Sequence, residues 1–203
     1  MRGVLCVSGV VFLSGTVVSI ISDTRFLIFS AVVLVWIGFV LFFARNPRRS
    51  VPEEDTAVVA PADGRITEIL QGETVRIRIF LSLFDVHVNR IPVQGEVEEI
   101  AYQTGVFLPA FLSGAGRRNE RNTIWLRTRF GSVQISQIAG LVARRIVCRL
   151  RTGQVVRKGE PFGMIRFGSA VELHLPAAVR LFVRKGQRVR AGETVIGDFG
   201  HAS

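Results

Sequence analysis

Two long apolar runs near the N-terminus constrain this chain most. They cover Val4–Ile21 and Phe26–Phe43, and only Ser22-Asp23-Thr24-Arg25 separates them. The second run contains no charged residue and, as a helix, would span about 27 Å, close to the ~30 Å of bilayer hydrocarbon. We therefore predict a transmembrane helical hairpin within residues 1–49. The first run is rich in small residues, and a cleaved signal peptide is its alternative interpretation.

The arginines around this hairpin predict its orientation. Arg2 precedes the first run, and Arg45, Arg48 and Arg49 follow the second, whereas the turn between the runs carries one Asp and one Arg. The positive-inside rule then places both ends of the hairpin, and the domain that follows, on the cytoplasmic side of the plasma membrane. The net charge of +10 favours contact with membrane lipid. Because no basic stripe is interleaved with aromatic residues, we expect no nucleic-acid partner.

The residues after Ser50 have the pattern of a β domain. Short alternating or β-branched runs are separated by Gly, Pro or Asn, as is typical of all-β proteins. The predicted strands are Gly64–Leu70, Thr74–Leu81, Gly95–Tyr102, Thr123–Arg129, Ser132–Ile138, Arg145–Leu150, Phe162–Phe167, Ala170–Leu175, Val179–Val183 and Thr194–Phe199. We therefore predict one mostly β domain over residues 50–203, in which VFLPAFL (106–112) forms a short helix or an apolar loop.

An internal repeat refines the fold prediction. GQVVRKGE at 153–160 recurs as GQRVRAGE at 186–193, and each copy predicts a turn, a two-residue strand and a second turn, with glycines at positive φ. Such paired units resemble the hairpins of barrel-sandwich hybrid domains, which include lipoyl and biotinyl carriers. Neither Lys158 nor Lys185 has the setting of a modified carrier lysine, so the repeat informs the fold rather than a cofactor.

Cysteine and histidine spacing indicates neither a disulfide framework nor a metal site. Cys6 lies in the first apolar run and Cys148 in a predicted strand. His201 lies in the C-terminal tail, and His174 alternates with Glu172, as expected of a histidine on the polar face of a strand. His87 follows Asp85 by two residues and would share a face with it in a strand, so either a structural or a catalytic role is open to it.

Five fragments of the sequence look ordinary when they are taken singly. A turn explains the Asp63 segment and the Gly168-Ser169 pair, and solvation explains the Asn119–Asn122 loop. The fragments are PADG at 61–64, FLSLFDVHVNRIP at 80–92, NERN at 119–122, QIAGLVARRI at 137–146 and GMIRFGSAVELHLP at 163–176. Their joint order and spacing carry more information than any one of them.

In that order and spacing, the five fragments resemble the short, membrane-anchored form of the phosphatidylserine decarboxylase family. FFARNPRRSVP at 42–52 resembles the segment that joins anchor to catalytic domain in that form, and the resemblance extends from about residue 20 to 199. It implies decarboxylation of phosphatidylserine to phosphatidylethanolamine in phospholipid biosynthesis. It also implies a zymogen that cleaves itself before a serine, which becomes a covalent pyruvoyl cofactor that withdraws electrons as CO2 leaves.

The resemblance also implies roles for individual residues. Its cleavage site matches Gly168-Ser169, so the fragments would be residues 1–168 and 169–203. Ser169 would be the nucleophile, His87 its base, and Asp63 the carboxylate that orients the base, since a serine hydroxyl needs such activation. Asp85 is the alternative carboxylate.

One position departs from the family pattern. In longer relatives the motif reads His-x-x-His, whereas Arg90 occupies the second histidine position here. We therefore predict that His87 is the base for both self-cleavage and decarboxylation, or that His174 shares the work.

Substrate contacts are predicted less directly. Arg121, Arg144 and Arg145 are candidates for the lipid phosphate, since guanidinium binds phosphate bidentately, although two of them could be solvated strand residues. The run 106–112 could form an interfacial lip for acyl chains or a core segment. The expected partners are the phosphatidylserine substrate, membrane lipid, the two fragments with each other and, by family resemblance, a second copy in a homodimer.

Three alternatives remain open from the sequence. The chain could be a membrane-tethered, non-catalytic binding or assembly module, in which the Gly-Ser pair and PADG are plain turns. It could be a serine hydrolase that uses Asp63, His87 and Ser169, although no G-x-S-x-G elbow surrounds the serine. It could also decarboxylate an archaeal ether-lipid analogue of phosphatidylserine.

Overall fold

The computed structural model describes residues 24–105, 119–140, 146–165 and 169–200. The chain divides into two compact units, residues 1–42 and 43–203. The residues that link the apolar helix to the first strand therefore group with the β unit. Arginine contacts described below explain this grouping.

The helix α1 covers Thr24–Phe43 and contains the second predicted apolar run. By length and composition it is able to cross a membrane, although a signal sequence would pass the same test. The prediction of an apolar helix there is confirmed. The first run, Val4–Ile21, lies outside the described residues, so the hairpin stays a prediction.

Fourteen strands follow α1 in the described part of the chain, and the mostly β prediction is confirmed. They are β1 (Ala57–Val59), β2 (Gly64–Gln71), β3 (Thr74–Leu81), β4 (Val88–Arg90), β5 (Gly95–Gln103), β6 (Arg121–Thr128), β7 (Gly131–Ala139), β8 (Ile146–Cys148), β9 (Val155–Val156), β10 (Pro161–Ile165), β11 (Ser169–Pro176), β12 (Arg180–Leu181), β13 (Arg188–Val189) and β14 (Val195–Asp198).

These strands form antiparallel sheets. The largest has eight strands in the order β13-β2-β3-β11-β7-β6-β5-β9, and two three-stranded sheets have the orders β1-β14-β12 and β4-β10-β8. The repeat supplies both edges of the large sheet, because β9 and β13 are its two-residue strands. Gly153 and Gly186 begin the two copies at φ +82° and +88°, as the turn prediction required. The barrel-sandwich-hybrid arrangement itself stays a prediction.

The strand β11 lies inside the large sheet, between β3 and β7. Ser169 is opposite Leu81 on β3 and Ala139 on β7, and the following residues continue this register. Alternate residues of β11 face the main apolar core together with residues of the small sheets. Its buried members on β11 are Val171, Leu173 and Leu175.

Candidate active site

Ser169 begins β11 and faces the core. Its cross-strand neighbours Leu81 and Ala139 are core residues, so the three side chains share one face of the sheet. Ser169 is 0% exposed, and its Oγ has no hydrogen-bond partner among the described residues. A buried hydroxyl without a partner costs free energy, so this arrangement calls for a functional explanation. Gly168, the other half of the predicted cleavage pair, lies outside the described residues.

His87 lies just before β4 and is also fully buried. Its main-chain oxygen accepts a hydrogen bond from Ile165 N at 3.4 Å, so it lies beside the end of β10, the strand that precedes β11. Its Nδ1–H donates to the Asp85 main-chain oxygen at 2.8 Å, and no described residue binds its Nε2. The ring is packed 4.1 Å from the ring of Phe43, centroid to centroid. The tautomer is thereby fixed, with the free lone pair on Nε2.

Burial controls the protonation of His87. Desolvation lowers the pKa of His87 from its usual 6.5, and nearby Arg45 acts in the same direction. The Asp85 main-chain bond and the charges of Asp85 and Asp63 oppose this shift without overcoming it. The imidazole is therefore neutral at pH 7, as a general base must be.

The Asp63 carboxylate is bound by other partners than His87 in the described residues. Arg49 Nη2 donates to Oδ1 and Oδ2 at 3.0 and 2.8 Å, and Ala191 N donates to Oδ1 at 2.7 Å. Arg49 also pairs with Glu193 at 3.3 Å. Asp63 thus acts on His87 through its charge rather than through a described hydrogen bond, and its triad role stays a prediction.

The alternative carboxylate, Asp85, contacts its own loop and lies 3.7 Å from the Arg188 guanidinium. Its Oδ2 accepts hydrogen bonds from Ser82 N and Ser82 Oγ at 2.8 and 2.7 Å. Its main-chain oxygen, not its carboxylate, holds His87. A peptide carbonyl therefore orients the imidazole where the sequence predicted a carboxylate.

Arg90, at the departure from the family motif, is a structural clamp. Its Nη1 donates to Gly159 O at 2.9 Å, and its Nη2 donates to Asn46 Oδ1 and Pro47 O at 2.6 and 3.1 Å. Burial lowers the pKa of Arg90, with the Arg49 charge acting in the same direction. Arg90 fastens the segment after α1 to the β unit, which is why that segment groups with the strands.

The large sheet separates two predicted residues from Ser169. Arg121 Nη2 pairs with the buried Glu172 at 3.1 Å, and His174 lies two residues beyond Glu172 on β11. Residues at even positions of β11 face away from the side that Ser169 occupies. The structure therefore does not bring Arg121 or His174 to Ser169. Arg144, Arg145 and the run 106–112 lie outside the described residues, and all three arginines stay predictions as phosphate ligands.

A chain of buried amides lies beside Ser169 and was not predicted from the sequence. Asn122 Nδ2 donates to Gln137 Oε1 at 3.0 Å, and Gln137 Nε2 donates to Asn89 Oδ1 at 2.8 Å. The alternating pattern of β7 could have indicated this contact, because Gln137 shares one face of the strand with Val133, Ile135 and Ala139. A glutamine in the apolar phase of a strand marks a buried polar contact.

Known proteins are similar to this chain over most of its length. A family model described as phosphatidylserine decarboxylase matches residues 36–197. The phosphatidylserine decarboxylase proenzyme of Carboxydothermus hydrogenoformans is 46% identical over 187 residues, covering 84% of this chain and 88% of that protein. The proenzyme of Syntrophus aciditrophicus is 45% identical and covers 79% and 80%, respectively. That of Rickettsia akari is 45% identical and covers 81% and 78%.

Proposed function

The chain belongs to the phosphatidylserine decarboxylase family, and from this premise we propose how its own residues serve the reaction. It is an enzyme that decarboxylates phosphatidylserine, and its relatives are made as proenzymes. We propose that this proenzyme cuts its backbone between Gly168 and Ser169 and that Ser169 becomes a pyruvoyl group. The observation that carries the proposal is the buried Ser169 Oγ without a described partner.

The surroundings of Ser169 fit a pyruvoyl group. Conversion would remove the serine hydroxyl and leave a small, uncharged acyl group, which suits a position flanked by Leu81 and Ala139. The pairing of β11 with β3 and β7 would hold that group at the end of the strand. When present, the group supplies an electron-withdrawing carbonyl that accepts the electrons released with CO2.

His87 is proposed as the base that activates Ser169. The Asp85 main-chain oxygen fixes the Nδ1–H tautomer, so Nε2 carries the lone pair that accepts a proton. Burial keeps this nitrogen unprotonated at neutral pH by lowering the pKa of His87. The charges of Asp63 and Asp85 would stabilise the imidazolium that forms after proton transfer. His87 would serve decarboxylation as well, because His174 faces away from Ser169.

Self-cleavage then follows from these groups in three stages. Ser169 Oγ attacks the preceding carbonyl carbon as its proton passes to His87, and collapse of the oxyanion expels the Ser169 nitrogen, which takes up that proton. The amide has become an ester with no net change in atoms. Loss of the Ser169 α-proton then expels the ester carboxylate as the new end of the first fragment. Water hydrolyses the remaining dehydroalanine and releases ammonia, leaving pyruvoyl.

The sheet register explains how the fragments would remain one protein. Residues 169–203 would carry β11 through β14, and β11 pairs over most of its length with β3 and β7. The side chains Val171, Leu173 and Leu175 are buried in the core shared with the first fragment. Separation would expose these side chains and break both ladders.

We further propose that α1 anchors the enzyme in the plasma membrane with the β unit in the cytoplasm. The arginines after α1 support this orientation by the positive-inside rule. A reporter active only outside the cytoplasm, fused to the C-terminus, should give no signal, whereas the same reporter fused to an exported control protein should give a strong one.

Mass spectrometry of the purified protein tests the cleavage proposal. We expect a fragment of residues 169–203 with a pyruvoyl N-terminus and a first fragment that ends at Gly168. Ser169→Ala should remain one inactive chain, because it lacks the nucleophile. Ser136→Ala, which alters a buried serine on the other face of the same sheet, should mature at the normal rate. An active enzyme that is uncut, or that has an intact N-terminal serine, would refute the proposal.

A further inference from the structure

Several buried polar side-chain atoms in the β unit have no described hydrogen-bond partner. Apart from arginine Nε atoms, the unpartnered buried atoms in the described ranges are His87 Nε2, Ser169 Oγ and Asn89 Nδ2. The roles proposed above use the first two. Asn89 is 0% exposed, so its free N–H bonds can be satisfied only by something inside the protein.

Hydrogen bonds to neighbouring amides fix the orientation of the Asn89 side chain. Asn122 donates to Gln137 Oε1, so Gln137 presents its Nε2 to Asn89 and occupies Asn89 Oδ1 at 2.8 Å. The acceptor end of Asn89 is therefore engaged, and its donor end is directed elsewhere. Gly163 allows this close packing, because a Cβ there would lie 3.0 Å from Gln137 Nε2 and 2.3 Å from Val147 O.

The strand register places this donor on the Ser169 side of the large sheet. Gln137 is opposite Val171 and Ser169 is opposite Ala139, so Gln137 and Ser169 share a face and are separated by one residue pair along it. Two residues along a strand correspond to about 7 Å. Asn89 contacts Gln137 from the facing sheet, and His87, two residues earlier, is hydrogen-bonded through its main-chain oxygen to Ile165 at the end of β10.

We propose that Asn89 Nδ2 is the oxyanion donor of self-cleavage. This inference rests on the proposed reaction at Ser169. As Ser169 Oγ forms its bond to the preceding carbonyl carbon, the C=O electron pair moves to oxygen, and Asn89 donates a hydrogen bond to that oxyanion. When the C–N bond breaks, this electron pair re-forms the C=O double bond, and the proton held by His87 is transferred to the departing nitrogen. Gln137 and Asn122 are positioning residues that hold the donor in place.

A pair of variants of nearly equal shape tests the donor. Asn89→Thr keeps an O–H that can donate and still accept from Gln137, whereas Asn89→Val has the same branching without the hydroxyl. The full-length proenzyme is synthesised in a cell-free system with lipid vesicles, and the appearance of the two fragments is timed on gels. We expect Val to mature about 100-fold more slowly than wild type, the magnitude typical of a lost oxyanion donor, and Thr to be at least about tenfold faster than Val.

Two further measurements separate the possible outcomes. Asn89→Asp keeps the acceptor for Gln137 and removes the donor, so it should mature as slowly as Val even if one β-branched variant fails to fold. Hydroxylamine splits esters, and it should not speed any slow variant, because the proposed defect precedes the ester. Equal rates for Thr and Val, wild-type maturation of Asn89→Asp, or rapid release by hydroxylamine would overturn the role of Asn89. Absence of cleavage in wild type would instead refute the reaction at Ser169.

Discussion

Replacing Arg49 by methionine should destabilise the β unit by removing the partner of a buried carboxylate. The Arg49 and Asp63 side chains are 6% and 13% exposed, and their closest N–O distance is 2.8 Å. At an effective dielectric constant near 20, two charges at that distance attract by about 6 kcal/mol. The Ala191 N–H remains as a partner for Asp63 and recovers part of this loss. We therefore expect the free energy of unfolding to fall by about 3 kcal/mol.

Urea unfolding of the detergent-solubilised full chain measures this loss. Ser169→Ala keeps the chain uncut, and Trp36→Phe leaves Trp125 in β6 as its sole tryptophan. With a urea slope near 2 kcal/mol per molar, the unfolding midpoint should fall by roughly 1.5 M. Arg48→Met is the matched control, because that neighbouring side chain is exposed and should shift the midpoint little.

A second substitution distinguishes charge from packing. Adding Asp63→Asn to Arg49→Met removes the unpaired carboxylate charge and should restore at least about half of the lost stability. The reason is that a buried charge without a partner destabilises the folded state more than the loss of both charges does. If Arg49→Met costs under about 1 kcal/mol, or if the double variant is less stable than the single one, the ion pair does not hold Asp63 as described.

Three other predictions concern the same unit. Gly64→Ala should cost about 4 kcal/mol of stability in urea unfolding, because Gly64 has φ +148° and a Cβ there would lie 2.1 Å from Phe80 O, whereas Gly72→Ala, in open space, should be nearly neutral. The rate of maturation, followed on gels from pH 5 to 8, should be half-maximal below pH 6.5, because burial lowers the pKa of His87 and only the neutral base accepts a proton; a midpoint above 6.5 would contradict this. Phe43→Ala should move that midpoint upward toward 6.5 by admitting water to the His87 ring, and an unchanged midpoint would exclude Phe43 as the source of the desolvation.

The sequence predicted most of the strands, including the two-residue strands β9 and β13 of the repeat, and it missed two of the three-residue strands. The prediction for β3 matches its observed bounds, because eight residues allow alternation to be recognised. The strands β1 and β4 were missed, since three residues show no period and their pairing partners are distant in sequence. That β11 lies between β3 and β7 could not be predicted, because strand order depends on contacts that local pattern does not contain.

The residues of the candidate site could be predicted from the sequence, but the contacts between them could not. Family resemblance identified Ser169, His87 and Asp63 by motif, yet it did not predict that a main-chain oxygen would orient His87 or that Arg49 would hold Asp63. Those contacts depend on how the segment after α1 returns to the β unit. The role of Asn89 could not be predicted because its partner Gln137 lies in another sheet, so neither residue alone indicated a buried amide pair.

The position of β11 inside the large sheet limits the ability of a cleaved enzyme to refold after denaturation. An uncut chain folds as a single molecule, and its two halves are always at high effective concentration. After a cut before Ser169, a denatured enzyme must recover the middle strand of its large sheet from a separate polypeptide, so refolding becomes bimolecular and competes with aggregation. The first fragment cannot supply that strand itself, and the new ends cannot be rejoined. After maturation, unfolding would therefore be irreversible, and the lifetime of the folded enzyme would depend on its unfolding rate rather than on a folding equilibrium. Each unfolded copy could be replaced only by new synthesis.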